Sequence, residues 1–367
     1  MTAESTPRAA RAQWLDVWTR AVIVPAWRRA AAVWVGTAIV AAVIFGPSAM
    51  RASDLTGLAL HHAGVGGALA VTWLLVFVPT ARLLVRAEGA AYLRTLPGPT
   101  LAPIVLAAAA LVALQLPWVA LWVVGEGLLG LGVVGVVTLA ILALASFRPP
   151  QLRAKWPGWR HDGEALRAIH VRALRRRAGD ALVRGAGLSV LAGVAAGLFV
   201  RNNQLAGLDA AVVGASVIAI VLVPAEVGVL LVILTTHRTT AWLAMSLGTS
   251  RVTRIVAVVY AIALVQLAAT VIAIAAAYVV TGDLRTIAWL GGTSLVVALA
   301  SAMGCARVLL AAEDSPTIAA RTVVGSIVVA ALAVLCLGLF GEVGIGAFVA
   351  TSALALFTTP VATPERA

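Results

Sequence analysis

The sequence predicts an all-α, polytopic membrane protein with about ten transmembrane helices, and three observations predict it. Of its 367 residues, 62% are hydrophobic and only 11% are charged, whereas a soluble domain is nearer half apolar and about a quarter charged. The mean hydropathy of +1.02 is an excess that a soluble core cannot hide. Apolar runs of about 20 residues recur along the whole chain, each long enough to cross a hydrocarbon layer as a helix.

In chain order, residues 1–30 form a polar N-terminal segment. Within it Trp14, Trp18 and Val22 recur at i, i+4 and i+8, with Arg11, Asp16, Thr19 and Arg20 between them. A basic helix with a tryptophan stripe suits the membrane interface; an extension of the first span, interrupted by Pro25, is the alternative. Spans are then expected at residues 31–50, 63–85, 100–122 and 127–146, a first four-span bundle over 31–146. A basic loop follows at 147–180, passing Trp156-Pro157-Gly158-Trp159. It ends in a second amphipathic helix, with Leu166, Ile169, Ala173 and Leu174 on one face and Arg167, Arg172, Arg175 and Arg176 mostly on the other. Six more spans, at 181–200, 210–235, 255–280, 287–310, 322–340 and 344–362, make a second bundle over 181–362, and 363–367 is a short tail. Proline inside a span, as at Pro79, Pro103, Pro117 and Pro224, is tolerable where neighbouring helices re-satisfy the freed backbone groups.

Charge sets the orientation. With both termini in the cytoplasm, every Lys and Arg except Arg51, Arg201 and Arg285 falls on the cytoplasmic side, as the positive-inside rule requires. The outer loops, 51–62 among them, are then short. The net charge of +12 is therefore topological. It carries none of the aromatic–basic interleaving that reads bases, and no nucleic-acid partner is expected.

Two polar elbows interrupt the apolar pattern, Arg86–Thr100 and His237–Ser250. At an offset of about 150 residues, Ala91-Tyr92-Leu93 meets Ala241-Trp242-Leu243 and Gly98 meets Gly248, while Gln115 and Gln266 sit mid-span one residue off that register. The pattern predicts a parallel internal repeat of 11–146 in 162–311, with two spans left over.

The chain contains no GxxxxGK[ST], HExxH or GxSxG stretch. Its histidines, His61, His62, His161, His170 and His237, form no metal-ligand spacing, and Cys305 and Cys336 lie far apart in apolar runs. No catalytic, cofactor-binding or metal-binding residues are assigned, and no enzyme activity is expected. Glu226 is the one carboxylate well inside an apolar run. A charge there costs roughly 2.5 kcal/mol or more on insertion scales, so it faces the bundle interior, as a pathway or gating residue or as a structural group bonded to a neighbouring helix. Gln115 and Gln266 are read the same way, as interhelical bonds or as pathway lining.

The stretch Tyr92-Leu93-Arg94-Thr95-Leu96-Pro97-Gly98 after the second span, with an interfacial helix before the first, resembles the cytoplasmic segment of ABC-2-type exporter permeases. The resemblance extends to the six spans over 181–362, with Trp242-Leu243 in the corresponding elbow; the four spans in front depart from it, as a fused or duplicated form would. It implies a membrane subunit that exports a substrate by alternating access, driven by a separate ATP-binding subunit docked on the elbows through Tyr92, Leu93, Arg94, Trp242 and Leu243. It also implies residence in a bacterial plasma membrane and is compatible with a homodimer. A secondary transporter using Glu226, with a proton or sodium dependence, and a non-transporting scaffold are the alternatives. The sequence gives no handle on the substrate.

Overall fold

The computed structural model describes residues 7–46, 50–95, 102–147, 162–311 and 318–358. Among these residues every regular element is helical. Among the described residues seven helices are long and apolar enough to cross a membrane, or up to nine if each of two sharply bent helix pairs counts as one span. Two compact units divide the chain, Met1–Ala38 with Met50–Leu152, and Ile39–Ala49 with Arg153–Ala367.

The first unit begins with α1 (Pro7–Trp18), a π-helical turn (Thr19–Ile23) and the start of α2 (Val24–Phe45). Helical backbone continues through both junctions, so the segment expected to lie separately at the interface instead extends the first span. Pro25 has no N–H to donate, and the Val24 N–H reaches back to the Thr19 carbonyl, an i→i+5 bond that absorbs the missing one. Trp18 and Val22, from the tryptophan stripe, are buried within the unit. The stripe packs against protein, where an interfacial helix would have faced lipid.

The segment 51–62 is not an irregular loop but helix α3 (Ala52–His61). The Arg51 N–H donates to Asp54 Oδ2 at its start, and Thr56 Oγ1 donates to Glu126 Oε1 at 2.8 Å. Helix α4 (Ala63–Arg86) leads into a 3-10 segment, Glu88–Thr95, within the first elbow. α5 (Ala102–Leu114) and α6 (Leu116–Glu126) follow, bent by 67° at Gln115, and α7 (Leu128–Ser146) closes the unit.

The second unit holds α8 (Asp162–Arg177), α9 (Gly179–Asn202), α10 (Gly207–Thr239), α11 (Ala241–Ser246), α12 (Arg251–Thr281), α13 (Leu284–Ala311) and α14 (Ile318–Thr358). α9 and α12 approach closely because α9 presents small residues four apart. A Cβ on Gly193 would overlap the backbone of Ala273, and one on Gly197 would meet Val280 and Ala277. Between apolar helices in lipid, such small-residue faces replace the hydrophobic effect as the means of association. α10 bends by 56° between Leu222 and Ala225, where Pro224 has no N–H for the helical ladder. α14 is interrupted at Gly341, whose φ of 58° and ψ of −139° are non-helical. Leu337 before it and Ile345 after it are buried in one cluster with Ala215, Val297 and Ala300. The interruption is therefore a turn that folds the two arms, 318–340 and 342–358, against common neighbours. It falls between the two spans expected at 322–340 and 344–362. Gly127, between α6 and α7, has nearly the same conformation, φ 57° and ψ −122°.

Candidate functional site

The site grows out of the broken helix. α10 carries Glu226 immediately after its bend, in the middle of an apolar run, and the side chain is 4% exposed. Among the described residues no salt bridge reaches it. Its carboxyl shares a hydrogen bond with the Gln266 side chain of α12, and Gln266 Nε2 also lies 4.0 Å from Cys305 Sγ on α13. That leaves Glu226 Oε1, Gln266 Oε1 and Ser294 Oγ buried without a partner among the described residues.

Two cavities meet at this carboxylate. One is small, about 20 Å³, and bordered by Glu226, Gln266, Thr270, Ser294 and Ser301. The other, about 520 Å³, is an apolar groove between α8, α9, α10 and α12 with Arg175 on its lining. Leu222 and Glu226 line both, so they form the partition between a wide apolar space and a narrow polar one. Sequence reasoning found Glu226 and Gln266 but missed Thr270, Ser294 and Ser301. The available signal was spacing: Thr270 lies four residues after Gln266, and Ser301 seven after Ser294, so each pair shares a helix face.

Gln115 plays a different part in the first unit. It is fully buried at the α5–α6 bend and accepts a hydrogen bond from Trp73 Nε1 on α4 at 2.7 Å. Its own Nε2 donates to the Leu111 carbonyl, and Trp73 stacks on Trp118, ring centres 5.3 Å apart. This is an interhelical bond in a closed aromatic pocket.

The elbows are short helices with exposed aromatics. Tyr92 is 54% exposed in the 3-10 segment; the side chains of Leu93 and Arg94 lie outside the described residues. Gly98 lies outside them too. Trp242 is 66% exposed on α11, next to half-exposed Met245 and Leu247, while Leu243 is partly buried. Gly248 ends this elbow with φ at +62°, a left-handed conformation that glycine adopts without strain. The other side of α11 is anchored, with Ala244 buried against Leu166 of α8 and Ala257 of α12. Beside it His170 of α8 is 2% exposed, 6.3 Å centre to centre from the His237 ring of α10. Burial pushes the His170 pKa below its ordinary value, and the bond to the Leu166 carbonyl only partly opposes this. Arg167 lies over the Tyr260 ring at 5.8 Å, holding α8 to α12 on its charged side as well.

Among the described residues, no group of three or more His, Cys, Asp or Glu is placed to hold a metal ion. His61 and His62 are exposed, with His61 Nδ1 against the Gly57 carbonyl. The chain is matched by no protein-family model, by no curated protein and by no solved structure.

Proposed function

We propose that the chain is the membrane-spanning permease subunit of an ABC-type exporter, powered by a separate ATP-binding subunit. One observation carries this reading: α11 is clamped to the bundle through Ala244 while it holds Trp242 outward, 66% exposed. A short, fixed helix bearing an outward aromatic is built to be gripped, since aromatics are favoured as interface anchors. Tyr92, on the 3-10 segment after α4, stands in the matching place of the first unit.

In this reading the chain crosses a bacterial plasma membrane ten times, with both termini and both elbows cytoplasmic. The Gly341 turn supports counting α14 as two spans. The basic ends support the orientation: Arg238, Arg251, Arg254 and Arg307 lie at the α11 end of their helices. A mid-span glutamine bonded back to the preceding span, Gln115 to Trp73 and Gln266 to Glu226, supports the internal repeat. The two halves then rock as the ATP-binding subunits close, and the substrate passes along the groove that ends at Glu226. A homodimer would pair two such chains.

The test is co-expression with an ATP-binding subunit encoded beside this chain. Replacing an interface anchor by Ala costs about 2–4 kcal/mol, so Trp242→Ala with Tyr92→Ala should reduce co-purification at least tenfold while membrane levels of the chain stay unchanged. Undiminished recovery of the ATP-binding subunit would refute docking at the elbows. A second reading, a secondary transporter working through Glu226, is favoured by the carboxylate beside a broken span, the usual setting for coupling-ion sites.

A further inference from the structure

The polar cavity beside Glu226 has a composition that neither the elbows nor the apolar groove explains. Glu226, Gln266 and Ser294 are each at least 96% buried, and each contributes one oxygen without a partner among the described residues. All three residues border the same space of about 20 Å³, and Thr270 and Ser301 are also on its lining. Two of the three unpartnered atoms, Glu226 Oε1 and Gln266 Oε1, can only accept when the carboxyl is ionised. The Gln266 amide nitrogen is already directed to Glu226 and Cys305. An apolar bundle cannot hold an ionised carboxylate and facing lone pairs in a dry void, because the uncompensated charge and orphaned acceptors each carry a large desolvation cost.

Either a proton on the carboxyl or a small cation bound by hard oxygen atoms removes that cost, and the unpartnered oxygens of three different helices favour the cation. Size limits it: the cavity holds about one water-sized body, as ~10–15 Å³ of such volume is the minimum for one water. Charge limits it as well. A single carboxylate with neutral amide and hydroxyl oxygens balances one positive charge, and no second acid is present to balance a divalent ion. Nitrogen and sulfur ligands, which select transition metals, are absent from the cavity lining. The bend in α10 sits immediately before Glu226, which is where discontinuous spans expose ion-binding groups.

We propose that Glu226, Gln266 and Ser294 form a binding site for one sodium ion, closed by the hydroxyl-lined wall of α12 and α13. Bound Na⁺ neutralises the carboxylate and ties α10, α12 and α13 together at one depth. The site does not depend on the docking reading, since it is internal to the second unit and remote in function from the elbows.

The test uses the intact purified chain in detergent, in choline chloride buffer at constant ionic strength, with NaCl or KCl replacing choline. Thermal unfolding is followed by intrinsic tryptophan fluorescence. Na⁺ should raise the midpoint saturably, while K⁺, whose contacts to oxygen ligands are longer, should raise it much less. Ser294→Ala should weaken the apparent Na⁺ affinity about tenfold, and Glu226→Gln should abolish the response. Ser216→Ala, whose hydroxyl is bonded to the Val212 carbonyl of its own helix, should leave it unchanged. Equal responses to Na⁺ and K⁺, or a Na⁺ response that survives Glu226→Gln, would overturn the proposal. So would a midpoint that ignores Na⁺ and follows only pH, since a proton would then be the resident cation. If Glu226→Gln cannot be purified, the Ser294→Ala shift alone decides. Loss of the Na⁺ response with intact docking of the ATP-binding subunit separates failure here from failure of the permease reading.

Discussion

The α9–α12 contact offers the sharpest test of the packing. A Cβ added to Gly193 would lie 2.7 Å from the carbonyl carbon of Ala273 and 2.9 Å from its Cα, and closer still to its carbonyl oxygen. Ordinary contact begins at 3.4 Å, and the obstructing atoms are backbone, so no rotamer change relieves the overlap. α9 and α12 must part by about 1 Å, and overpacking of this kind costs ~1–3 kcal/mol. Alanine also has an intrinsic helical advantage over glycine of about 1 kcal/mol, which works the other way. Gly292 on α13 separates the two effects, because nothing lies within 4 Å of a Cβ there. Gly292→Ala should therefore gain stability by up to about 1 kcal/mol. Gly193→Ala should fall below it by about 1–3 kcal/mol, roughly a 5- to 150-fold difference in the unfolding equilibrium. Gly197→Ala should lie between them, since its nearest obstacles, Val280 Cβ at 2.9 Å and the Ala277 carbonyl oxygen at 3.1 Å, intrude less than those at Gly193. The assay is unfolding of the purified chain in mixed detergent–SDS micelles, read by tryptophan fluorescence. Equal stability of Gly193→Ala and Gly292→Ala would refute the close approach of α9 to α12.

Other substitutions address separate parts of the molecule. Gln115→Leu should destabilise the first unit by about 1–3 kcal/mol, because it leaves the Trp73 indole N–H buried without an acceptor; unchanged unfolding in the same micelle titration would contradict the bond. His170 has a folded pKa below its unfolded value of 6.5, so below pH 6.5 the unfolded state binds more protons. The stability that neutral His170 contributes is complete above 6.5 and is lost as pH falls toward the folded pKa. Compared between pH 8 and pH 5, the unfolding midpoint of wild type should drop further than that of His170→Gln, and parallel drops would remove His170 as the cause.

The fold class was legible because membrane helices advertise themselves through length and hydropathy alone. Helix α3 was missed because charge counting placed 51–62 in an outer loop, although Asp54 supplies a cap and Leu55 and Ala59 recur at i and i+4. The continuity of α1 with α2 was obscured by Pro25, which ends most helices but here is absorbed by a π turn. Glu226 stood out because a lone carboxylate is costly in an apolar run, whereas Ser294, Ser301 and Thr270 did not, since a single hydroxyl can bond its own backbone and costs little. The expected repeat register is not followed by the links between helices. At the register that aligns the elbows, the α6–α7 link should match the α12–α13 link at Gly282, yet Gly282 has φ 68° and ψ 1°. Gly127 instead matches Gly341 in conformation, and Gly130 and Gly344, each three residues later, each face the carbonyl oxygen eight residues back.

The π turn has a mechanical consequence. It lets residues Ala12–Phe45 run as one helix of 34 residues, a stiff rod of about 50 Å at ~1.5 Å per residue. The carbonyl of Ala21, in that turn, lies 2.7 Å from where a Cβ of Gly89 would be, in the 3-10 segment that also carries Tyr92. Force applied at Tyr92 thus has a short, incompressible route into the rod near one end. A side chain at position 89 would stand in that route, and Gly89→Val would alter the lever at its point of contact.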